Sequence, residues 1–404
     1  MTDGARLDIA TPQDYLVIED NATLANFVVV LGRCPVVAVD IESNSLHHYT
    51  ERVSLIQVTG RDGDGVCHHA VIDPLADVEV PMLGPLLADP EVVVVFHGAD
   101  FDVVSLKRDY GFTIHNIYDT MIAARAAGIE RFGLADLVQR YYGVTLNKKF
   151  QKHDWSERPL GKDALDYAHL DTRYLPEIMD ELKRLVLEGG RDDLVAEECV
   201  LIESRNWAPR VAPEEAFLTV KGANRLPEDA QRVLREVHAW REKVAEKRDW
   251  PPFKVMGTDL LLAISSAAPD TAQALEHIAG SRNRMVRRYG PELIEAVAAG
   301  KATTDKLPRL KNAKGRRYTR EDDLLFNRLR EWRNAQAERE AVEPSMVVGN
   351  QVLKEVSALR PRDEAALAAV PAIRRWQARR YAAALTAQVA AFEADEAGGA
   401  NAGA

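Results

Sequence analysis

The second half of the 404-residue chain repeats itself at an offset of 92 residues without a gap. Aligned identities run through the whole unit and include the pairs Trp240 and Trp332, Gly257 and Gly349, Leu261 and Leu353, Tyr289 and Tyr381, and Leu293 and Leu385. A repeat this long in one register indicates two copies of one small domain. Both copies lack β-branched runs and space their apolar residues as helices do, so each is predicted to be a helical bundle.

The repeat divides the chain into three predicted domains and a tail. Residues 1–210 form the first domain, residues 211–305 hold the first copy, and residues 306–392 hold the second. The tail, residues 393–404, reads EADEAGGANAGA, a composition typical of disorder.

Residues 1–210 alternate apolar β-branched runs with helix-like periods, which is the pattern of an α/β domain. The central strand is predicted near CPVVAVDIE. The runs RVSLIQVT and VCHHAVID, joined by RDGDG, predict a hairpin, and EVVVVF predicts another strand. A longer helix is predicted from Lys162 to Glu188, with a break near Pro176.

The net charge of −10 hides an asymmetry between the two halves of the chain. Residues 1–210 carry 20 basic and 35 acidic side chains, whereas residues 211–404 carry 32 and 27. The chain has no apolar run of membrane length and no signal-like N-terminus, so we expect a cytoplasmic protein without a membrane partner. Three widely spaced cysteines support neither disulfides nor a zinc site, and the phosphate-binding glycine motifs of nucleotide cofactors are absent.

Four carboxylates follow the predicted strands and helices of the first domain. Asp40 and Glu42 lie two apart at the end of a strand and therefore on one face. Asp102 follows the EVVVVF run, and Asp171 has Tyr167 four residues before it on one helical face. Each of these residues also has a non-catalytic interpretation. Asp40 and Glu42 could lie at a solvated sheet edge, Asp102 could cap a helix, and Asp171 could form a surface pair with Tyr167.

Taken together, the four acids predict a site for divalent cations. Mg²⁺ prefers carboxylate oxygen, and two such ions can activate water and stabilise the leaving oxygen of a phosphodiester. The histidine pairs 47–48 and 68–69 lack the spacing of metal ligands on a helix, so we do not expect them to compete.

These segments carry a resemblance. VDIE with Asp40 and Glu42, FHGADFD with Asp102, and YAHLD with Tyr167 and Asp171 resemble the three motifs of DEDD-superfamily exonucleases. The match is to the tyrosine branch, because Asp166 occupies the place of the histidine in the other branch. The repeats, with WRE or WRN followed by PFKVMGTDLL or PSMVVGNQVL, resemble HRDC domains. The order of domains is similar to the ribonuclease D family.

The resemblance implies a ribonuclease H-like α/β exonuclease domain, with a mixed sheet flanked by helices, followed by two all-α HRDC bundles. It implies that Asp40, Glu42 and Asp171 hold one Mg²⁺ or Mn²⁺ ion, and that Asp40 and Asp102 hold a second. Tyr167 would orient the attacking water. The implied activity is 3′–5′ hydrolysis of RNA to nucleoside 5′-monophosphates, in the maturation of tRNA and other stable RNA precursors.

The expected partner is RNA with a single-stranded 3′ end, bound by a monomer. Between Arg282 and Arg320 the chain carries 12 Lys or Arg and 3 Asp or Glu, which predicts a backbone-binding track or, alternatively, a solvated linker. Its candidate RNA-binding residues are Lys311, Lys314, Arg316 and Arg317. Two other functions stay open: a DNA 3′–5′ exonuclease, and an RNA-binding scaffold with a decayed site.

Aromatic and apolar residues near the motifs could stack on RNA bases, although core packing is the simpler interpretation for each. They are Leu46, Tyr49, Phe101 and Trp155. The second repeat is the more divergent, with Glu340, Ala341 and Ser345 in place of Arg248, Asp249 and Phe253. Its core positions are kept, and whether it binds RNA stays open.

Overall fold

The computed structural model describes residues 15–208, 212–280, 283–308 and 318–401. Within these ranges, one mixed sheet has the strand order β1-β4-β3-β2-β5-β6. Its strands are β1 (Tyr15–Asp20), β2 (Val36–Ser43), β3 (Val53–Arg61), β4 (Cys67–Asp77), β5 (Val93–Phe96) and β6 (Ile117–Asp119). The pairs β2–β3 and β3–β4 are antiparallel, and the others are parallel.

The helices of the α/β domain cover the sheet and link its strands. They are α1 (Asn21–Leu31), α2 (Gly84–Leu87), α3 (Asp100–Tyr110), α4 (Thr120–Ala126), α5 (Leu134–Tyr142), α6 (Lys162–Ala168), α7 (Leu170–Arg173), α8 (Leu175–Glu188) and α9 (Asp192–Glu203). A short 3₁₀ turn, Val80–Leu83, precedes α2.

The repeats are helical throughout their described parts. The first contains α10 (Pro213–Ala216), α11 (Glu228–Arg248), α12 (Pro252–Val255), α13 (Thr258–Ala267), α14 (Ala272–Ala279) and α15 (Arg284–Ala302). The second contains α16 (Arg320–Glu340), α17 (Asn350–Leu359), α18 (Glu364–Ala368) and α19 (Arg375–Asn401). Three 3₁₀ turns complete them, at Phe217–Thr219, Ala223–Arg225 and Pro344–Met346. No helix of the described ranges is long and apolar enough to cross a membrane.

The fold class predicted from the sequence is confirmed. Strand β2 is internal because its Val36–Val39 run is buried on both faces. The predicted hairpin is β3 and β4, and the predicted long helix is broken into α6, α7 and α8, with Pro176 in the first turn of α8. The sequence did not predict the edge strands β1 and β6. Strand β1 has exposed apolar residues, and β6 is only three residues long, so neither has a clear strand pattern.

The prediction of disorder in the tail is wrong as far as Asn401, because α19 continues through these residues. Ion pairs join the start of the tail to the rest of the second copy: Asp395 pairs with Arg328 at 2.6 Å, and Glu396 pairs with Arg360 at 3.1 Å. Residues 402–404 lie outside the described residues.

The two copies of the repeat differ in whether they have a hydrophobic core of their own. The first copy has a core of its own, which includes Leu234, Leu261 and Leu293. In the second copy, Leu353 and Leu385 belong to one cluster that continues through the core of the α/β domain. The second copy is therefore packed as part of the α/β domain, whereas the first has a separate hydrophobic core.

Candidate active site

Two of the predicted site residues lie on the internal strand β2. Asp40 is paired with Gln57 of β3, and Glu42 is paired with Leu55. Directly opposed residues of antiparallel strands share a face, so these four side chains lie on the same side of the sheet. The buried Val39 and Ile41 point to the other face and anchor the strand.

Asp102 reaches the site from the first turn of α3. Its side chain is only 7% exposed, although α3 begins at the protein surface. The turn before the helix is held by the buried carboxylate of Asp119, which accepts hydrogen bonds from the backbone N–H groups of Gly98 (3.1 Å) and Ala99 (2.8 Å). The same carboxylate caps α4 by accepting from Met121 at 2.8 Å. Asp119 therefore fixes the direction from which Asp102 enters.

Tyr167 and Asp171 come from successive short helices, α6 and α7, rather than from one. Helix α7 packs directly on β2 and β3, and a 2.9 Å hydrogen bond joins the hydroxyls of Thr172 and Thr59. This packing brings Asp171 over the sheet face that carries Asp40. Asp166, at the place of the histidine in the other exonuclease branch, accepts from the Tyr15 hydroxyl at 2.8 Å.

The structure brings all four carboxyl groups into one another's electrostatic field. Burial raises the pKa of Asp40 to about 7. Burial, with the charges of Asp40, Asp171 and Asp102, raises the pKa of Glu42 to about 10. The pKa values of Asp102 and Asp171 are raised well above the ordinary range, first by burial and then by neighbouring carboxylates, Asp40 foremost. Such a set is stable in its ionised form only beside positive charge.

Tyr167 lies on a cavity of about 240 Å³ that Asp171 also lines. Its ring packs against Phe150, with centroids 5.7 Å apart, and against the buried Trp155, with centroids 6.0 Å apart. Burial, and then the charges of Asp171 and Glu42, raise the pKa of the phenol. The hydroxyl therefore stays protonated at neutral pH and can donate a hydrogen bond into the cavity.

The donor set fits hard divalent cations, because it consists of carboxylate oxygen. In the described part of the chain, no three His, Cys, Asp or Glu side chains converge tightly enough to form a metal-binding group on their own. The fit therefore rests on the chemistry of the four acids and on their mutual effect on pKa. The histidines predicted not to be ligands have other contacts: His48 bonds to Ser156 at 2.7 Å, and His69 bonds to Thr59 at 2.9 Å.

Comparison with known proteins defines the family. A 3′–5′ exonuclease domain model matches residues 15–187, and an HRDC domain model matches residues 230–297 and 322–389, the same 92-residue offset as the repeat. Ribonuclease D of Gluconacetobacter diazotrophicus is 31% identical, over 92% of this chain and 92% of that protein. The chain belongs to the ribonuclease D family. It is a 3′–5′ exoribonuclease, as the sequence predicted.

A second ribonuclease D relative agrees with this membership, and two solved structures have a similar fold. Ribonuclease D of Sphingobium indicum is 33% identical over 71% of the chain and 73% of that protein. The fold is similar to that of Escherichia coli RNase D, with a TM-score of 0.69, 23% identity and coverage of 93% and 99% of the two chains. The catalytic core of RRP6 from Trypanosoma brucei aligns with a TM-score of 0.58 and 27% identity, over 72% and 83% of the chains.

The first HRDC domain touches the exonuclease domain next to the active site. Asp249, the left-handed residue that ends α11, accepts from the backbone N–H of Tyr49 at 3.0 Å and pairs with His48 at 2.6 Å. The Tyr49 hydroxyl also lies 3.4 Å from Glu242. His48 and Tyr49 belong to the segment that leaves β2, which carries Asp40 and Glu42, so this HRDC domain borders the catalytic face.

The second HRDC domain docks on α4 and α9 of the exonuclease domain. Arg125 donates to Glu343 and to Ser345, both at 2.9 Å. Arg374 donates to Glu198 at 2.9 Å, and Glu197 accepts from the backbone of residues 375 and 376. This polar rim surrounds the shared hydrophobic core.

The remaining sequence-predicted residues have different positions. Lys311, Lys314, Arg316 and Arg317 lie outside the described residues. The prediction of core packing is correct for Trp155, which is buried. It is wrong for Leu46 and Phe101, which are 43% and 46% exposed. Leu46 lies in the loop after β2 and Phe101 in the first turn of α3, where sequence period does not predict burial.

Two residues that the sequence analysis did not select belong to the site. Asp119 stands immediately before α4, and an acid at a helix start is the signal that could have predicted its capping role. Gln57 lies opposite Asp40, fully buried, and its amide has no hydrogen-bond partner among the described residues. A polar residue in an otherwise apolar strand run is the signal for Gln57.

Proposed function

We propose that this exoribonuclease removes nucleotides singly from the 3′ end of RNA by two-metal-ion hydrolysis at the cleft between β2, α3 and the α6–α7 segment. One observation carries the proposal: β2, α3 and α7 bring four buried or half-buried carboxyl groups into one another's electrostatic field, beside a protonated phenol that lines a cavity together with Asp171. The products are nucleoside 5′-monophosphates.

Asp40, Glu42 and Asp171 would hold one ion, and Asp40 with Asp102 would hold the other. Their carboxylate oxygens are the hard ligands that Mg²⁺ or Mn²⁺ requires. Bound ions supply Lewis acidity, which lowers the pKa of water and stabilises charge on the leaving oxygen. Asp119 contributes indirectly, because the hydrogen bonds it accepts from the backbone of Gly98 and Ala99 hold the turn that positions Asp102.

Tyr167 orients the attacking water. The raised pKa of its phenol makes it a hydrogen-bond donor that does not itself take the proton from water. Packing against Phe150 and Trp155 fixes the ring, so its hydroxyl is held in one position at the cavity wall. Arg158 supports this segment by pairing with Asp73 at 2.5 Å and donating to the carbonyl of Ser54 at 2.8 Å.

The substrate we propose is RNA with a single-stranded 3′ end, including precursors of tRNA and other stable RNAs. The ribonuclease D relatives support RNA as the substrate class. Lys311, Lys314, Arg316 and Arg317 are proposed to hold the RNA backbone, because this segment is the most basic of the chain.

Two variants test the assignment of roles. Asp40→Asn should lower Mg²⁺-dependent degradation of 3′-labelled RNA by about 100-fold or more, because one shared metal ligand is lost. Tyr167→Phe should be slower by about 100-fold but should still bind Mn²⁺ in a calorimetric titration. The exposed Asp77→Asn removes the same charge as Asp40→Asn and is the control. Wild-type activity in Asp40→Asn would refute the site.

DNA hydrolysis is the second candidate function, because the proposed site residues would contact phosphate and metal rather than the sugar. RNA and DNA oligonucleotides of one sequence distinguish the two: kcat/KM should be higher for RNA. Equal values for both would make the enzyme a general 3′–5′ exonuclease.

A further inference from the structure

The edge strand β1 contacts the helix that carries Tyr167. Strands β4 and β3 separate β1 from β2, which bears Asp40 and Glu42. The phenol hydroxyl of Tyr15, the first residue of β1, nevertheless donates a 2.8 Å hydrogen bond to a carboxylate oxygen of Asp166. Asp166 directly precedes Tyr167 in α6. A residue at the edge of the sheet therefore holds the neighbour of the phenol that is proposed to orient water.

The ring of Tyr15 makes a second contact on the other side of Tyr167. It stacks on the imidazole of His169, with ring centroids 4.4 Å apart and an angle of 20° between the ring planes. His169 is 1% exposed and follows the last residue of α6, where the chain continues into α7 and Asp171. Tyr15 therefore contacts the residues one position before and two positions after Tyr167.

Helix α6 depends on such contacts because it is too short to hold its own orientation. It has seven residues and no side-chain hydrogen bond at its N-cap, Gly161. Helices of this length are marginal without tertiary packing. Ala164 and Ala168, the two buried residues of α6, belong to a small apolar cluster that also packs against both tyrosines. Apolar contact is non-directional, so the hydrogen bond to Asp166 supplies the direction that fixes how the helix is turned.

The hydrogen bond from Tyr15 joins a protonated phenol to an ionised carboxylate. Burial, and then Asp166, raise the pKa of Tyr15, so its hydroxyl remains a donor. Burial acts to raise the pKa of Asp166, but hydrogen bonds from Lys162, at 2.5 Å, and from Tyr15 outweigh it and lower that pKa. Hydrogen bonds to an ionised acceptor are roughly twice as strong as those between neutral groups. The contact is therefore a charge-assisted hydrogen bond at neutral pH.

We propose that Tyr15 is a positioning residue for the hydrolysis. By holding Asp166 and His169 on either side of Tyr167, it fixes the turn of α6 that directs the Tyr167 hydroxyl toward the attacking water. The inference rests on the proposed role of Tyr167. It extends the active site to the edge strand, because a displacement of about 1 Å in a group that orients a reactant can lower a rate by about 100-fold.

The variant Tyr15→Phe tests the proposal because it keeps the stacked ring and removes only the hydroxyl that donates to Asp166. Its kcat for Mg²⁺-dependent hydrolysis of 3′-labelled RNA should fall about tenfold. Its KM for RNA and its calorimetric affinity for Mn²⁺ should equal those of the wild type, because neither depends on the attacking water. In hydrogen–deuterium exchange, the amides of residues 162–168 should exchange faster than in the wild type, and those of β2 should not change.

A double-mutant cycle with Tyr167→Phe separates positioning from a general structural role. When the Tyr167 hydroxyl is absent, Tyr15 has no catalytic group to position, so Tyr15→Phe should not slow the Tyr167→Phe enzyme further. A loss of about tenfold that persisted in the Tyr167→Phe background would overturn the inference. Wild-type kcat in the Tyr15→Phe single variant would also overturn it.

The control is Tyr141→Phe, which removes a phenol hydroxyl that has no hydrogen-bond partner among the described residues. This variant should match the wild type in kcat and in the exchange of α6. Failure of the proposed role of Tyr167 has a different signature, because Tyr167→Phe alone would then keep wild-type kcat. A slow Tyr15→Phe enzyme together with a wild-type Tyr167→Phe enzyme would contradict the inference, since Tyr15 would then act through another group.

Discussion

The two HRDC domains of this enzyme have one fold and one repeat register, but they are attached to the exonuclease domain in different ways. The first has its own core and meets the exonuclease domain through polar contacts of Asp249 and Glu242. The second shares a hydrophobic core with it. The two copies share their core positions, whereas their surfaces contact the exonuclease domain in different ways.

The sequence differences between the copies coincide with these contacts. Glu340 replaces Arg248, and its carboxylate lies 3.8 Å from the guanidinium of Arg191 of the exonuclease domain. Ser345 replaces the 55%-exposed Phe253 and accepts from Arg125. These substitutions in the second copy therefore lie at its contacts with the exonuclease domain.

The largest expected effect is the loss of stability when one leucine is shortened in the core of either copy. Leu293 and Leu385 are equivalent in the repeat, and both are fully buried. Replacing either by Ala should cost about 3 kcal/mol. In calorimetry, Leu385→Ala should lower the unfolding transition that contains the exonuclease domain, whereas Leu293→Ala should lower only the transition of the first HRDC domain. If both variants shifted the same transition, the copies would not differ as described.

A smaller effect concerns the docking of the second copy at Gly128. This residue has φ +77°, and a Cβ added to it would lie 2.5 Å from the carbonyl oxygen of Ala341. Gly143 has φ +71° and open space around it. Gly143→Ala should cost about 1–2 kcal/mol for the left-handed backbone alone. Gly128→Ala should cost more in thermal unfolding, because it also separates the two domains. Equal losses would contradict the close approach.

The smallest effect is on pH dependence and concerns His238 of the first copy. Burial, and then the charge of Arg241, lower its pKa, while Glu242 acts in the opposite direction. The unfolded chain therefore takes up the proton first, and stability is lost as the pH falls below about 6.5. The second copy has Arg330 at this position instead of a histidine.

Thermal unfolding at pH values on both sides of about 6.5 measures this difference. The first HRDC domain should lose stability on acidification, and His238→Gln should reduce that loss. An identical pH profile in the variant would show that His238 is not the sensitive group.

The sequence predicted those parts of the molecule that depend on local pattern. Strand period placed Asp40 and Glu42 on one face, and the RDGDG turn predicted the β3–β4 hairpin. The 92-residue repeat predicted two helical copies, which the HRDC matches reproduce. Local pattern could not predict that Asp119 holds the turn before α3, because the bonded groups are about 20 residues apart.

The other features that the sequence did not predict depend on long-range packing. The burial of Trp155 and the exposure of Phe101 depend on how α3 and the 150–158 segment lie on the sheet, and spacing along the chain does not encode this. The docking of the second copy joins Arg125 to Glu343 across 218 residues. The tail was predicted from composition alone, although its acids meet Arg328 and Arg360 in the folded chain.

The central claim is that the four acids and Tyr167 form a metal-dependent active site that works from the 3′ end of RNA. A time course with one RNA, labelled at either the 3′ or the 5′ end, tests it with and without Mg²⁺. The account predicts immediate release of labelled mononucleotide from the 3′ label, a ladder of shortening products from the 5′ label, and neither in EDTA. Internal cleavage, release from the 5′ end, or undiminished hydrolysis in EDTA would contradict it.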